Sequence, residues 1–222
     1  MTRVAVVLSG CGYLDGSEIR EAVISLLELD KSGAEVEIFA PNTEQSDVVN
    51  HLSGEPMDET RNALVESARI ARGKVRDLIE ASADNFDALI LPGGYGVAKN
   101  LSTLASKGAE LEVNEDFKGL ILGFLEQKKP IGAICISPAV LVAAVREKTK
   151  ATVTIGDDVD GLITTLGGEH KKCAVSEAAI DEENKIVSCP AYMMDEPLAD
   201  IAAGIEKLVK EVLNRTELKA AA

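Results

Sequence analysis

Short apolar runs alternate with stretches whose apolar residues recur at helical spacing along nearly the whole chain. Arg3 to Ser9 (RVAVVLS) has the continuous, β-branched character of a strand covered on both faces. Ser17 to Ser32 follows as a helix, with Ile19, Val23, Leu26 and Leu27 spaced along one face. Gly33 closes that helix, and Glu35 to Ala40 (EVEIFA) reads as a second strand. The charged, amphipathic segment from Thr60 to Ser82 predicts a second helix, and Asp87 to Pro92 (DALILP) a third strand. Asn114 to Gln127 is helical in pattern, Pro130 to Ile134 (PIGAI) strand-like, and Ser137 to Arg146 helical again.

The rhythm then changes. Two β-like segments flank the turn signal from Asp181 to Asn184, which predicts a hairpin near one sheet edge. A final helix is expected from Leu198 to Leu213, with a frayed tail over 215–222. The alternation of strand and helix implies an α/β fold: a mainly parallel sheet with helices on both faces. No composition break marks a second domain, so 1–222 is read as one. The segment Pro41 to Thr60 is longer than an ordinary βα connection and is placed to wall one side of a site.

Composition narrows the partners. The 222 residues are 46% hydrophobic, enough for a full core, and carry a formal net charge of -14. Such an acidic chain is not expected to bind nucleic acid or an anionic membrane, because phosphate binding needs clustered Lys and Arg. No window approaches the roughly 20 apolar residues of a membrane span, and the apolar part of MTRVAVVLSG is too short for a secretory signal. The expectation is a soluble cytoplasmic protein. Cys11, Cys135, Cys173 and Cys189 lie far apart, without a CxxC or a Cys/His cluster, so no metal site and no disulfide framework is expected.

Ligands of open α/β sheets collect beyond the carboxyl ends of the strands. Three segments stand there: SGCGYLDGSE after the first strand, GGYGVAKN after the third, and Cys135 after the fourth. Gly10, Gly12 and Gly16 are spaced G-x-G-x-x-x-G and the second strand ends IFAP without an acidic residue, so no dinucleotide cofactor is expected. Gly93 and Gly94 either punctuate a turn or bring backbone N–H groups to a small ligand. Cys135 sits between a strand and Ser137-Pro138, a typical helix opening. It is either a packed small residue or a nucleophile on a sharp turn, where helix N-terminal amides favour the thiolate.

EAVISLLELDKSGAEVEIFA, LILPGGYGVAKNL and IGAICISPAVLVAA together resemble the ThiJ/PfpI superfamily. LSGCGYLDGSEIREAV, NHLSGEPMDETRN and KIVSCPAYM are similar to a bacterial glyoxalase branch within it. The resemblance implies a flavodoxin-like three-layer sandwich, usually a homodimer, of the kind shared with glutamine amidotransferases. It implies Cys135 as nucleophile and Glu21, from the first helix, as the acid beside it, with Glu18 as the fallback. The activity it implies is conversion of glyoxal or a similar small dicarbonyl to a 2-hydroxy acid without glutathione or a redox cofactor, related to protein deglycation. In that chemistry the amides of Gly94 and Ile136 would stabilise an alkoxide. Cys11 is expected to line the pocket or guard Cys135, with Asn100 and Tyr95 as further pocket residues and Cys173 and Cys189 packed in edge strands.

One departure stands out. Many relatives place a histidine beside the cysteine, whereas His51 lies in the long loop and His170 ahead of the hairpin. Glutamine hydrolysis and peptidase chemistry therefore lack an evident base. A noncatalytic, redox-responsive role for the same cysteine is the competing expectation.

Overall fold

The computed structural model describes residues 1–217. Its main sheet contains β1 (Arg3–Val7), β2 (Glu35–Ala40), β3 (Arg76–Asp77), β4 (Ala88–Leu91), β5 (Ile131–Ile134), β8 (Ala179–Asp181) and β9 (Ile186–Cys189), and β6 (Thr152–Val153) pairs with β7 (Glu169–His170) apart from it. The order across the sheet is β3-β2-β1-β4-β5-β9-β8. Every pair is parallel except β8 with β9, the expected hairpin. Period-2 alternation sends Ala5 and Val7 to one face of β1 and Val4 and Val6 to the other, into two separate apolar clusters.

Helices α1 (Ile19–Lys31), α2 (Ala63–Ile70) and α8 (Leu198–Glu217) belong to one face. Helices α3 (Tyr95–Lys99), α4 (Leu104–Lys107), α5 (Glu115–Glu126), α6 (Ser137–Val145) and α7 (Leu162–Thr165) belong to the other. The result is the flavodoxin-like three-layer sandwich. Every residue of α6 is buried, as its apolar, charge-free sequence requires. This helix fixes the turn on which Cys135 stands.

Four features differ from the sequence expectation. The helix expected over Thr60 to Ser82 stops at Ile70, because Arg72 (φ 52°) and Gly73 (φ 81°) turn the chain left-handed and divert it into the short edge strand β3. GGYGVAKN is not only a loop: Tyr95 onward winds into α3. Cys189 lies in β9, an interior strand, and Cys173 in irregular chain before β8, so neither is an edge-strand residue. The last helix continues to Glu217, with Arg215 paired to Glu211 (2.6 Å) and Glu182 (2.5 Å). Residues 218–222 of the expected tail lie outside the described residues.

Candidate active site

Glu18 caps α1, its carboxylate accepting the Glu21 N–H at 2.7 Å. This sets the rotation of the first turn and drives Glu21 inward, where it is fully buried. Its Oε2 accepts the Gly93 N–H at 2.9 Å, and its Oε1 the Tyr192 N–H at 3.3 Å. The carboxyl also stands beside the Cys135 thiol, on the other side of Gly93. Burial, then the nearby Glu18 carboxylate, pushes Glu21 up to about 8, against the Gly93 and Tyr192 amides and the Cys135 thiol, which favour its ionised form.

Cys135 is held on the turn from β5 into α6 at φ 62°, a left-handed conformation uncommon for a side-chain-bearing residue. Its N–H donates to the Cys189 carbonyl at 3.0 Å, and Ser137 Oγ ties the start of α6 to the Pro92 carbonyl at 2.8 Å. Burial, then the charge of Glu21, pushes the thiol well above its ordinary value. The Gly94 and Ile136 amides act on the sulfur in the opposite direction. Cys135 and Glu21 thus share a buried site in which one ionised group is tolerated better than two.

Gly93 makes this contact possible. A Cβ there would lie 2.5 Å from the Cys135 Cβ and 2.8 Å from Glu21 Oε2. The glycine loop after β1 packs directly on α3, with Gly96 N–H donating to the Gly16 carbonyl at 2.8 Å and Tyr95 N–H to that of Tyr13 at 2.8 Å. Gly12 and Gly16 use their own amides within the loop, bonding Ser17 and Gly12 carbonyls, so these glycines turn the chain rather than cradle a phosphate.

The thiol opens into a cavity of about 510 Å³ whose lining includes Tyr13, Glu18, Gly94, Tyr95, Ile136 and Tyr192. Cys135, Gly94, Ile136 and Glu18 therefore meet there, with Glu21 and Gly93 immediately behind the sulfur. Cys11 and Asn100 are not part of that lining. Cys11 faces Glu66 and Arg69 of α2, and burial followed by the Glu66 charge raises its thiol. The reason is topological: β4 lies between β1 and β5, which separates their axes by roughly 9–10 Å, beyond the reach of a direct disulfide. Asn100 is a scaffold residue, donating to the Ser9 and Asp15 carbonyls (both 2.8 Å) and accepting the Ser46 N–H (2.9 Å).

The long loop after β2 does wall the neighbouring side: Asp15 accepts the Val49 N–H at 2.8 Å, and His51 meets Tyr13 edge to face. His51 Nε2 accepts the Leu14 N–H at 3.3 Å and His170 lies in β7, so neither histidine contacts Cys135. Tyr192 was not foreseen. The signal for it was present, since Cys189 ends a strand and the following residues must emerge at the same sheet edge as Cys135.

Residues 5–189 match the DJ-1/PfpI family. The chain belongs to that family. Human glutamine amidotransferase-like class 1 domain-containing protein 3, mitochondrial, is 46% identical over 224 residues, 96% of this chain and 83% of its own length. The crystal structure of an isoprenoid biosynthesis protein with an amidotransferase-like domain from Ehrlichia chaffeensis superposes with a TM-score of 0.94 at 46% identity, covering 97% of this chain and 99% of that one. A deglycase from Thermococcus kodakarensis is 34% identical over 84 residues, 36% of this chain and 43% of its own. The expected cytoplasmic location does not stand: the human relative, like the matching rat and zebrafish ES1 proteins, is mitochondrial by name. Among the described residues no helix is long and apolar enough to cross a membrane. The DJ-1/PfpI fold and its cysteine site are consistent with glyoxalase or deglycase-like chemistry.

Proposed function

We propose that this protein is a glutathione-independent glyoxalase that converts 2-oxoaldehydes, glyoxal among them, to 2-hydroxy acids. The observation that carries this reading is the fully buried Glu21 carboxyl packed beside Cys135 around Gly93, a carboxyl raised to about 8. An acid of that strength both accepts and returns protons near neutral pH. The sequence likeness to ElbB, a bacterial glyoxalase once named for enhancing lycopene biosynthesis, and the partial match to a deglycase point the same way. The absence of a histidine contact at Cys135 favours it over glutamine hydrolysis, which needs a Cys-His pair.

The chemistry balances without a redox partner. The Cys135 sulfur adds to the aldehyde carbon, and the thiol proton ends on the new alkoxide to give a hemithioacetal. Glu21 takes the proton from that carbon and delivers it to the neighbouring carbonyl carbon through an enediol, so one carbon is oxidised as the other is reduced. Water then cleaves the resulting thioester, releasing the hydroxy acid and the thiol. The Gly94 and Ile136 amides stabilise first the sulfur anion and then the alkoxide. A homodimer belongs to the same proposal, and sedimentation velocity tests it.

The deciding experiment is glycolate formation from glyoxal without metal or glutathione, using wild type, Cys135→Ser and Glu21→Gln. Turnover by wild type with both variants at background supports the reading. Equal background rates for all three overturn it, and would leave oxidation of Cys135, with Gly94 and Ile136 amides poised at the sulfur, as the function to pursue.

A further inference from the structure

The cavity is far larger than a two-carbon dialdehyde requires. At about 510 Å³ it lies within the range of pockets that enclose drug-sized ligands. Its inner wall is apolar: Ala98 and Leu104 are buried there, Leu162 is partly buried, and Ile136 adjoins the cysteine. Tyr13 and Tyr95 are about half exposed (49% and 53%), and with Tyr192 they supply three aromatic faces to the lining.

Charge narrows the ligand further. Among the described residues Glu18 is the one charged side chain in the lining, and no Lys, Arg or His joins it. Arg20, bonded to the Tyr192 hydroxyl at 2.9 Å, and Lys99, over the Tyr95 ring, stand behind the aromatic wall, so a carboxylate or phosphate inside the cavity would meet Glu18 before either cation. The same arrangement favours release of the product, which is itself a carboxylate.

We infer that the cavity selects uncharged 2-oxoaldehydes bearing a bulky apolar group, an aryl group above all, over glyoxal and over anionic analogues. This rests on the glyoxalase reading above and names its substrate class. The aldehyde end reaches Cys135, while the aryl group lies between Leu104 and the tyrosine faces, offset-stacked or edge to face.

The test compares initial rates on glyoxal, phenylglyoxal and 4-carboxyphenylglyoxal with wild type, Ala105→Trp and Glu18→Gln. One methylene in a hydrophobic pocket is worth roughly 10–200-fold, so wild-type kcat/KM should favour phenylglyoxal over glyoxal by at least about 100-fold. Ala105 is an exposed residue of the cavity wall on α4, so Trp there should fill space without disturbing the core. The phenylglyoxal-to-glyoxal ratio should then fall by about tenfold or more. Glu18→Gln keeps an acceptor for the Glu21 N–H and should raise the rate on the carboxylated substrate relative to phenylglyoxal.

Binding of two uncharged, unreactive product amides, mandelamide and glycolamide, separates this proposal from the chemistry. If no aldehyde is turned over yet mandelamide binds at least tenfold tighter than glycolamide, the glyoxalase reading fails and the apolar preference stands. If glyoxal and phenylglyoxal react alike and the two amides bind alike, the preference is overturned with the glyoxalase reading intact. A ratio unchanged in Ala105→Trp also overturns it.

Discussion

The Glu21 carboxyl and the Cys135 thiol stand side by side inside the protein around Gly93, and an ionised Glu21 makes ionisation of the thiol harder. The pair is best treated as one titrating unit. Below about pH 8 both protons are held, and above it the unit carries one negative charge that can sit on carboxylate or sulfur.

The first prediction follows from that unit. If the singly ionised pair is the reactive form, kcat/KM for aldehyde turnover should rise about tenfold per pH unit and level off above about 8. Alkylation of Cys135 by iodoacetamide should follow the same curve. Glu21→Gln should abolish the inflection, and a wild-type profile flat from pH 6 to 10 would contradict the shared-proton account.

Stability should carry the opposite signature. In the unfolded chain Glu21 ionises near its ordinary value of 4.5, whereas in the fold it stays protonated to about 8. Between those values unfolding releases a proton, so wild type loses stability from this group as pH rises, by up to about 1.4 kcal/mol per unit. Glu21→Gln lacks that loss. Thermal melts should therefore show the variant gaining on wild type from pH 5 to pH 8, with no further gain above it.

Gly93 makes a steric prediction. A methyl group there would intrude on Cys135 Cβ, Glu21 Oε2 and the Ile134 carbonyl, at 2.5, 2.8 and 2.9 Å. Two of these belong to fixed backbone or to the strained turn, so the neighbours cannot simply rotate away. Gly93→Ala should cost about 1–3 kcal/mol and lower turnover by at least about 100-fold. Denaturant unfolding and steady-state rates test the two halves separately.

Much of this arrangement was legible in the chain. The apolar runs at Arg3 to Ser9 and Asp87 to Pro92 and the Cys135 turn were readable because their pattern reflects local sterics and two-sided burial. Glu21 was reached only through resemblance. Its helical position does not reveal that the Glu18 cap and the amides of Gly93 and Tyr192, up to 171 residues away, draw it inside. Cys11 was misplaced for a related reason: occupying the same sheet edge as Cys135 says nothing of the strand between them, and strand order is a long-range property. The helix end at Ile70 was missed because Gly73 sits in an amphipathic pattern that a local reading continues through.

Asn100 provides the last prediction, since its place in the fold separates support from chemistry. Its amide joins the glycine loop after β1 to the long loop after β2 through Ser9, Asp15 and Ser46. Neither loop supplies the thiol or its acid. At about 0.5–1.5 kcal/mol per hydrogen bond, Asn100→Ala should lose about 2–4 kcal/mol of stability. Asn100→Asp keeps an acceptor for Ser46 but loses both donated bonds, and it should fall between wild type and Ala only if the Ser46 bond matters. In both variants the pH at which iodoacetamide labelling of Cys135 reaches half its plateau should stay where it is in wild type, because Glu21, Gly93 and Ile136 are untouched. A shift of that midpoint would mean that the two loops hold the acid–thiol pair as well as the wall beside it.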